Sequence, residues 1–157
     1  MFYRPSTHPA RESKLEQTAQ GHFRSLGYDF VTHVEGLPGR PDIVIPARFI
    51  CVQVYGCFFH QHGPHCSYSR TPPSFTYDWE RKFREIRIRD RSNLEQTLRR
   101  RYRQLTLWGC ALEYGLKDRL HRAIVAFVEG TEPHREIGRL DLLAMPAAPV
   151  TDGSAAE

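Results

Sequence analysis

Two short apolar runs, Asp42–Ile45 and Phe49–Tyr55, are separated only by Pro46-Ala47-Arg48. They constrain the fold more than any other stretch of the chain. Both are rich in Val and Ile, whose branched side chains crowd a helix and suit a pleated sheet. Both are short, and the link between them is hairpin-sized, so they read as neighbouring strands. Upstream, Leu15, Ala19, His22/Phe23 and Leu26 recur at helical spacing. That spacing predicts a helix from about Ser13 to Leu26, stopped by Gly27. Phe30 to Val34 reads as a further strand, followed by a Leu37-Pro38-Gly39 turn. Residues 56–76, rich in Gly, Pro, His and Cys, read as irregular. A long helical region, broken once or continuous, is expected from about Tyr77 to Arg101, then a strand over Tyr102 to Trp108. A last helix, about Leu116 to Val128, places Leu116, Leu120, Ala123/Ile124 and Phe127/Val128 on one side. The order helix, three strands, helix, strand, helix predicts a mixed α/β fold with a central sheet and flanking helices.

The 157 residues suit one domain, expected over 1–145, with a flexible arm over 1–12. Residues 146–157, rich in Pro, Ala, Gly and Ser, read as a disordered tail. No apolar run approaches the ~20 residues that span a bilayer. Met1 to Ala10 has no apolar stretch of signal-peptide type, so a cytoplasmic location and no membrane partner are expected.

Net charge is +4, but its distribution says more. Ten Arg/Lys stand against three acids between Arg81 and Arg103, whereas five stand against eight acids from Glu113 onward. Nearly all of the basic segment is Arg, whose planar fork bonds two phosphate oxygens at once. An anionic partner such as DNA is one reading of that segment; a solvated helix face is the other.

Residues Cys57 to Cys66 read Cys-Phe-Phe-His-Gln-His-Gly-Pro-His-Cys. In a cytosolic chain, thiols and imidazoles this close point to metal ligation rather than to disulfides. Zinc takes four such ligands in a tetrahedron. Cys57, Cys66 and His62 supply three, with His60 and His65 competing for the place of His62. Cys110, just after the last strand, is placed to be the fourth. Four protein ligands leave no open position for water, which argues against an unrelated zinc hydrolase. Cys51, inside a strand, reads as a small core residue.

Arg40-Pro41-Asp42 opens one strand, and alternation puts Gln53 and Tyr55 on one face of the next. An acid at a strand start beside polar neighbours is the frame of metal-dependent phosphodiesterases; a plain turn residue is the alternative. Within the long helix, Phe83, Ile86, Leu94 and Leu98 form an apolar stripe that contains Asp90. A buried acid needs a partner. A histidine would be oriented by it for proton transfer; Arg87, Arg91 or a helix break are the other solutions.

Four strings occur in order: Leu37-Pro38-Gly39-Arg40-Pro41-Asp42-Ile43-Val44, Gly56-Cys57-Phe58-Phe59-His60, Arg89-Asp90-Arg91 and Leu107-Trp108-Gly109-Cys110-Ala111-Leu112. Together they resemble the very short patch repair endonucleases, from about Ser13 to Leu116, with Gly63-Pro64 as a small insertion. The resemblance implies a restriction-endonuclease-like fold with a structural zinc. It also implies magnesium-dependent nicking of duplex DNA 5′ of the thymine in a T·G mismatch, which arises when 5-methylcytosine deaminates. Carried over by position, Asp42 and the Val54 carbonyl hold Mg²⁺. His60 is the catalytic histidine, Asp90 orients it, and Glu16 is a further active-site acid. Cys57, His62, Cys66 and Cys110 hold Zn²⁺. Phe58 and Phe59 wedge into the base stack, and Arg40, Arg89 and Arg91 lie among the DNA contacts. Tyr55 stands in the catalytic set where the family usually carries a histidine, and Phe59 where it carries a tryptophan. The expected partner is mismatched double-stranded DNA, with mismatch-repair proteins as further candidates, and a monomer is expected. Alternatives are a related nicking enzyme of phage or mobile-element type with another target, and a non-catalytic zinc-containing DNA-binding module.

Overall fold

The computed structural model describes residues 12–71, 77–113 and 115–148. The arm expected over 1–12 and the tail expected over 146–157 lie almost wholly outside the described residues.

The first helix, α1, runs Lys14–Ser25, and Ser13 caps it by accepting from the Glu16 N–H. Ser13 thereby satisfies a free N–H group of the first turn, and Glu16 places an acid at the positive helix end. Strands β1 (Val31–Thr32), β2 (Ile43–Ile45) and β3 (Ile50–Tyr55) follow. The strand expected over Phe30 to Val34 is shorter because His33 turns into the left-handed region at φ 48°. Phe49 leaves the strand for the same reason, at φ 51°.

Helix α2, Tyr77–Arg99, is continuous, so Asp90 sits within it without a break. Strand β4 (Arg103–Trp108) and helix α3 (Lys117–Glu129) come next. Beyond them lie a fifth strand, β5 (His134–Ile137), and a short helix, α4 (Arg139–Ala144). Neither is in the expected order of elements. Of β5's four residues only Ile137 is apolar, so period-two patterning has nothing to show.

The sheet order is β1-β2-β3-β4-β5. β1, β2 and β3 pair antiparallel, whereas β3–β4 and β4–β5 are parallel. One sheet face carries Ile43, Ile45, Ile50, Val52, Leu105, Leu107 and Ile137, packed in one core with Phe23 of α1 and Leu120, Ile124 and Phe127 of α3. The other face is partly polar: Gln53, Gln104 and Thr106 are buried there. This topology decides where function can sit. β3, β4 and β5 run parallel and end at one edge of the sheet. Antiparallel β2 begins at that edge and β1 ends there. In α/β sheets such an edge is where side chains and loops converge on a ligand.

Candidate active site and metal centre

Asp42 stands immediately before β2, and its Oδ2 accepts the Val54 N–H at 2.7 Å. The turn ahead of it is closed by the Arg40 N–H to the Leu37 carbonyl at 3.1 Å. Pro38 and Gly39 take the two central positions, the pair that a type II turn favours. Gly39 has φ +69°, a conformation that suits glycine, and a Cβ there would lie 2.8 Å from Gln53 Nε2, which would have to shift. A strand residue's N–H and C=O face the same side, so the Val54 carbonyl is turned towards Asp42 as well. Burial pushes the Asp42 carboxyl up to about 6, the Val54 N–H opposes this, and Glu16 adds to it. A buried acid of this kind gains by a cation.

Glu16, His33 and Asp42 each offer a ligand atom, and these atoms all lie within 4.8 Å of one another. His33 Nε2 is 3.6 Å from Glu16 Oε2 and 3.4 Å from Glu12 Oε1. It is shielded from solvent and makes no hydrogen bond among the described residues. The donor set and that unsatisfied nitrogen fit a divalent cation.

After β3 the chain turns, with the His60 N–H bonded to the Gly56 carbonyl at 3.1 Å. This points His60 back at α2, where Asp90 Oδ2 meets its Nδ1 at 2.6 Å. The inward-facing Asp90 therefore has a histidine partner, with Arg89 Nη2 at 3.3 Å from its second oxygen. Tyr55 stacks flat on the His60 ring, 4.0 Å between centroids and 2° between planes. Burial pushes the Tyr55 phenol up, and Asp90 and Asp42 add to this, so Tyr55 is poorly placed to act as a base. Its geometry is that of a plate holding the imidazole.

The second cluster lies along the same edge. Cys57 follows β3 and Cys110 follows β4, and with His62 and Cys66 their ligand atoms all lie within 4.8 Å of one another. His62 Nδ1 is 3.8 Å from Cys57 Sγ and 3.4 Å from Cys110 Sγ. Ligands about 2.3 Å from a tetrahedral ion stand about 3.8 Å apart, so the spacing fits a four-ligand metal site. The Cys57 thiol bonds to the Cys110 sulfur, which holds Cys110 below the ordinary thiol range and pushes Cys57 up. The Arg139 N–H also donates to Cys110, at 3.3 Å. His62 stacks on Trp108 at 4.1 Å. His60 and His65 are outside the set: His60 is taken by Asp90, and His65 lies edge-on to His62. Cys51 is buried in the sheet, as a small core residue.

A family model described as DNA mismatch endonuclease Vsr matches residues 6–67. Type II nicking enzyme V.XorIIP of Xanthomonas oryzae pv. oryzae is 33% identical over 103 residues, 66% of this chain and 74% of that protein. DNA mismatch endonuclease Vsr of Escherichia coli is 30% identical over 102 residues, 65% of this chain and 64% of that protein. Type II nicking enzyme V.NaeI of Lentzea aerocolonigenes is 30% identical over 131 residues, 80% of this chain and 72% of that protein. The chain belongs to the Vsr family of DNA endonucleases. It is therefore a DNA endonuclease, and each of the two clusters above could hold a metal ion. No described helix is long and apolar enough to cross a membrane.

The exposed basic residues of α2 suit the DNA that a Vsr enzyme binds. Arg81, Lys82, Arg84, Arg87, Arg89, Arg91 and Arg99 are all exposed on α2. Arg40 stands in the left-handed region at the Asp42 turn, φ 46°. The aromatic pair is not two free rings. Phe59 is 50% exposed, whereas Phe58 is half-buried against Trp79 and Phe83, at 5.5 and 5.3 Å. The two rings meet edge-on at 5.2 Å and Phe59 also leans on Trp79 at 6.2 Å, so the buried ring anchors and the more exposed one projects. Between α2 and the polar sheet face, Tyr55, His60, Asp90, Arg87 and Thr106 help line a cleft of about 350 Å³.

Sequence reasoning missed His33, Trp79 and Gly138. Trp79 stands four residues before Phe83 on α2, the helical spacing that could have revealed it. Gly138 passes so close to His62 that a Cβ would lie 2.4 Å from His62 Cε1. No sequence signal marks that approach.

Proposed function

We propose that this enzyme nicks one strand of duplex DNA 5′ of the thymine in a T·G mismatch, using magnesium at Asp42 and a structural zinc at the cysteine cluster. The fold is of the restriction-endonuclease type in this reading, supported by the mixed sheet that carries an acid at the start of β2. The observation that carries the catalytic reading is the His60–Asp90 pair, 2.6 Å apart, beside the buried Asp42.

Asp42, the Val54 carbonyl and Glu16 would hold the cation, whose chemistry at such sites is to neutralise charge on the phosphate and acidify water. Asp90 accepts the Nδ1 proton of His60 and fixes the ring, so Nε2 faces the reaction. There it moves a proton as water adds to phosphorus and the bond to the leaving oxygen breaks. Tyr55 holds the imidazole plane and takes no proton. Cys57, His62, Cys66 and Cys110 tie the Phe58–Phe59 turn to the ends of β3 and β4. Phe59 stacks beside the mispair, braced by Phe58 and Trp79. Unstacking is cheaper where pairing is already damaged, which gives preference for a mismatch without reading every base edge. Arg40, Arg89 and Arg91 hold phosphates.

Strand-resolved cleavage of labelled duplexes tests this. A nick beside the thymine of T·G, dependent on Mg²⁺ and much faster than on paired DNA, is expected. A second reading, a nicking enzyme without mismatch preference, is favoured by the type II nicking enzymes among the relatives. Equal cutting of paired and T·G duplexes would establish it.

A further inference from the structure

His33 has no part in the reaction described above. It follows β1 at the edge where β2 begins, and its left-handed backbone, φ 48°, turns the ring away from the strand direction. Its Nε2 is buried and makes no hydrogen bond among the described residues. The two carboxylate oxygens nearest to it, of Glu12 and Glu16, stand 3.4 and 3.6 Å away. Those separations exceed the 2.7–3.2 Å range of good hydrogen bonds. The His33–Glu16 separation is somewhat wider than the roughly 3 Å between neighbouring ligands on an octahedral ion with bonds of about 2.1 Å. Glu16 and Asp42 complete a three-donor face with His33, all within 4.8 Å.

We propose that His33 is a direct nitrogen ligand of the divalent cation held by Glu16 and Asp42, and that it shifts the site's preference from magnesium towards first-row transition ions. The inference rests on the reading of Asp42 as the cation site. The reason for the preference is ligand chemistry. A small, hard ion takes oxygen donors and keeps its water, whereas imidazole favours ions later in the first row. A site of two carboxylates, a carbonyl and an imidazole binds Mn²⁺ or Co²⁺ more tightly than an all-oxygen site does. The other structural role for His33 is an imidazolium paired with Glu12 and Glu16. The two roles differ in sign. Removing a ligand weakens cation binding, whereas removing a positive charge from beside the carboxylates strengthens it.

The test uses the zinc-loaded full chain with Mn²⁺ as probe. Electron spin-echo spectroscopy of the Mn²⁺-loaded wild type should show nitrogen modulation from one imidazole, and H33Q should lose it. By titration, H33Q should bind Mn²⁺ at least about tenfold more weakly, with a smaller loss for Mg²⁺. Absence of nitrogen modulation in the wild type, or Mn²⁺ binding by H33Q as tight as wild type or tighter, overturns the proposal. The spectroscopic arm needs no variant, so misfolding of H33Q leaves it decisive. D42N separates the underlying reading. Loss of Mn²⁺ binding in D42N together with no nitrogen signal in wild type refutes only the His33 assignment. Unchanged Mn²⁺ binding in D42N refutes the Asp42 site itself.

Discussion

Asp42→Asn is expected to make the protein more stable while it destroys activity. Burial moves the Asp42 carboxyl from its ordinary 3.8 to about 6. Each tenfold change in a protonation equilibrium is worth about 1.36 kcal/mol. Without a cation, the charged carboxylate therefore costs the folded state roughly 3 kcal/mol at neutral pH. The sign follows from proton counting. Below about pH 3.8 both folded and unfolded chains hold the proton. Between 3.8 and 6 the folded chain keeps it and the unfolded chain has lost it, so stability falls as pH rises. Asparagine keeps an oxygen for the Val54 N–H and has no charge to bury. Urea unfolding of the zinc-loaded proteins, in buffer without added magnesium, should show the variant ahead by up to about 3 kcal/mol at pH 7.5. With a urea slope of about 2 kcal/mol per molar, that moves the midpoint by roughly 1–2 M. The gap should shrink as pH falls from 6 towards 4. Magnesium should stabilise the wild type and leave the variant unchanged. A variant no more stable than wild type at pH 7.5, or a gap indifferent to pH, refutes the reasoning.

The remaining predictions concern the dyad, the metal brace and the wedge. His60→Gln should slow single-turnover nicking by about 10²–10⁴-fold, and adding Asp90→Asn should cost little more, because the two act as one unit. Multiplicative losses in the double variant would separate them. Gly138→Ala should displace His62, since the new Cβ would lie 2.4 Å from its ring while φ there is ordinary. Metal analysis should then find less than one zinc per chain and a lower Tm; full zinc content at wild-type Tm would contradict the packing argument. Phe59→Ala should weaken binding to a T·G duplex by about 1–3 kcal/mol, with a smaller effect on paired DNA. Equal losses on both duplexes would remove Phe59 from mismatch recognition.

How much of this was legible in the sequence depended on the range of the interaction. The β-branched runs around Pro46 and the stripe of α3 showed as strands and a helix because pleat and helix impose local periods. Asp90 was legible as an anomaly, an acid on an inward stripe, and its partner came from a loop thirty positions away. The cluster of Cys57, His62, Cys66 and Cys110 could be named, but bringing His62 rather than His60 or His65 into it needed the turn at Gly56. His33 gave no signal, because its proximity to Glu16 and Asp42 comes from three separate elements meeting at one sheet edge. β5 was hidden for a different reason. Its residues His134, Arg135 and Glu136 are polar, and pairing with β4 rather than patterning makes it a strand. The aromatic turn was half legible: sequence placed Phe58 and Phe59 together, and only the burial of Phe58 against Phe83 shows which one projects.

The central claim, that one cation-binding acid at the start of β2 drives strand cleavage, is tested most directly with Asp42→Ala. Nicking and binding of a T·G duplex should be measured side by side, with Mg²⁺ present. The account predicts that the variant binds the duplex about as tightly as wild type and leaves it intact. A variant that still nicks at a comparable rate would contradict it.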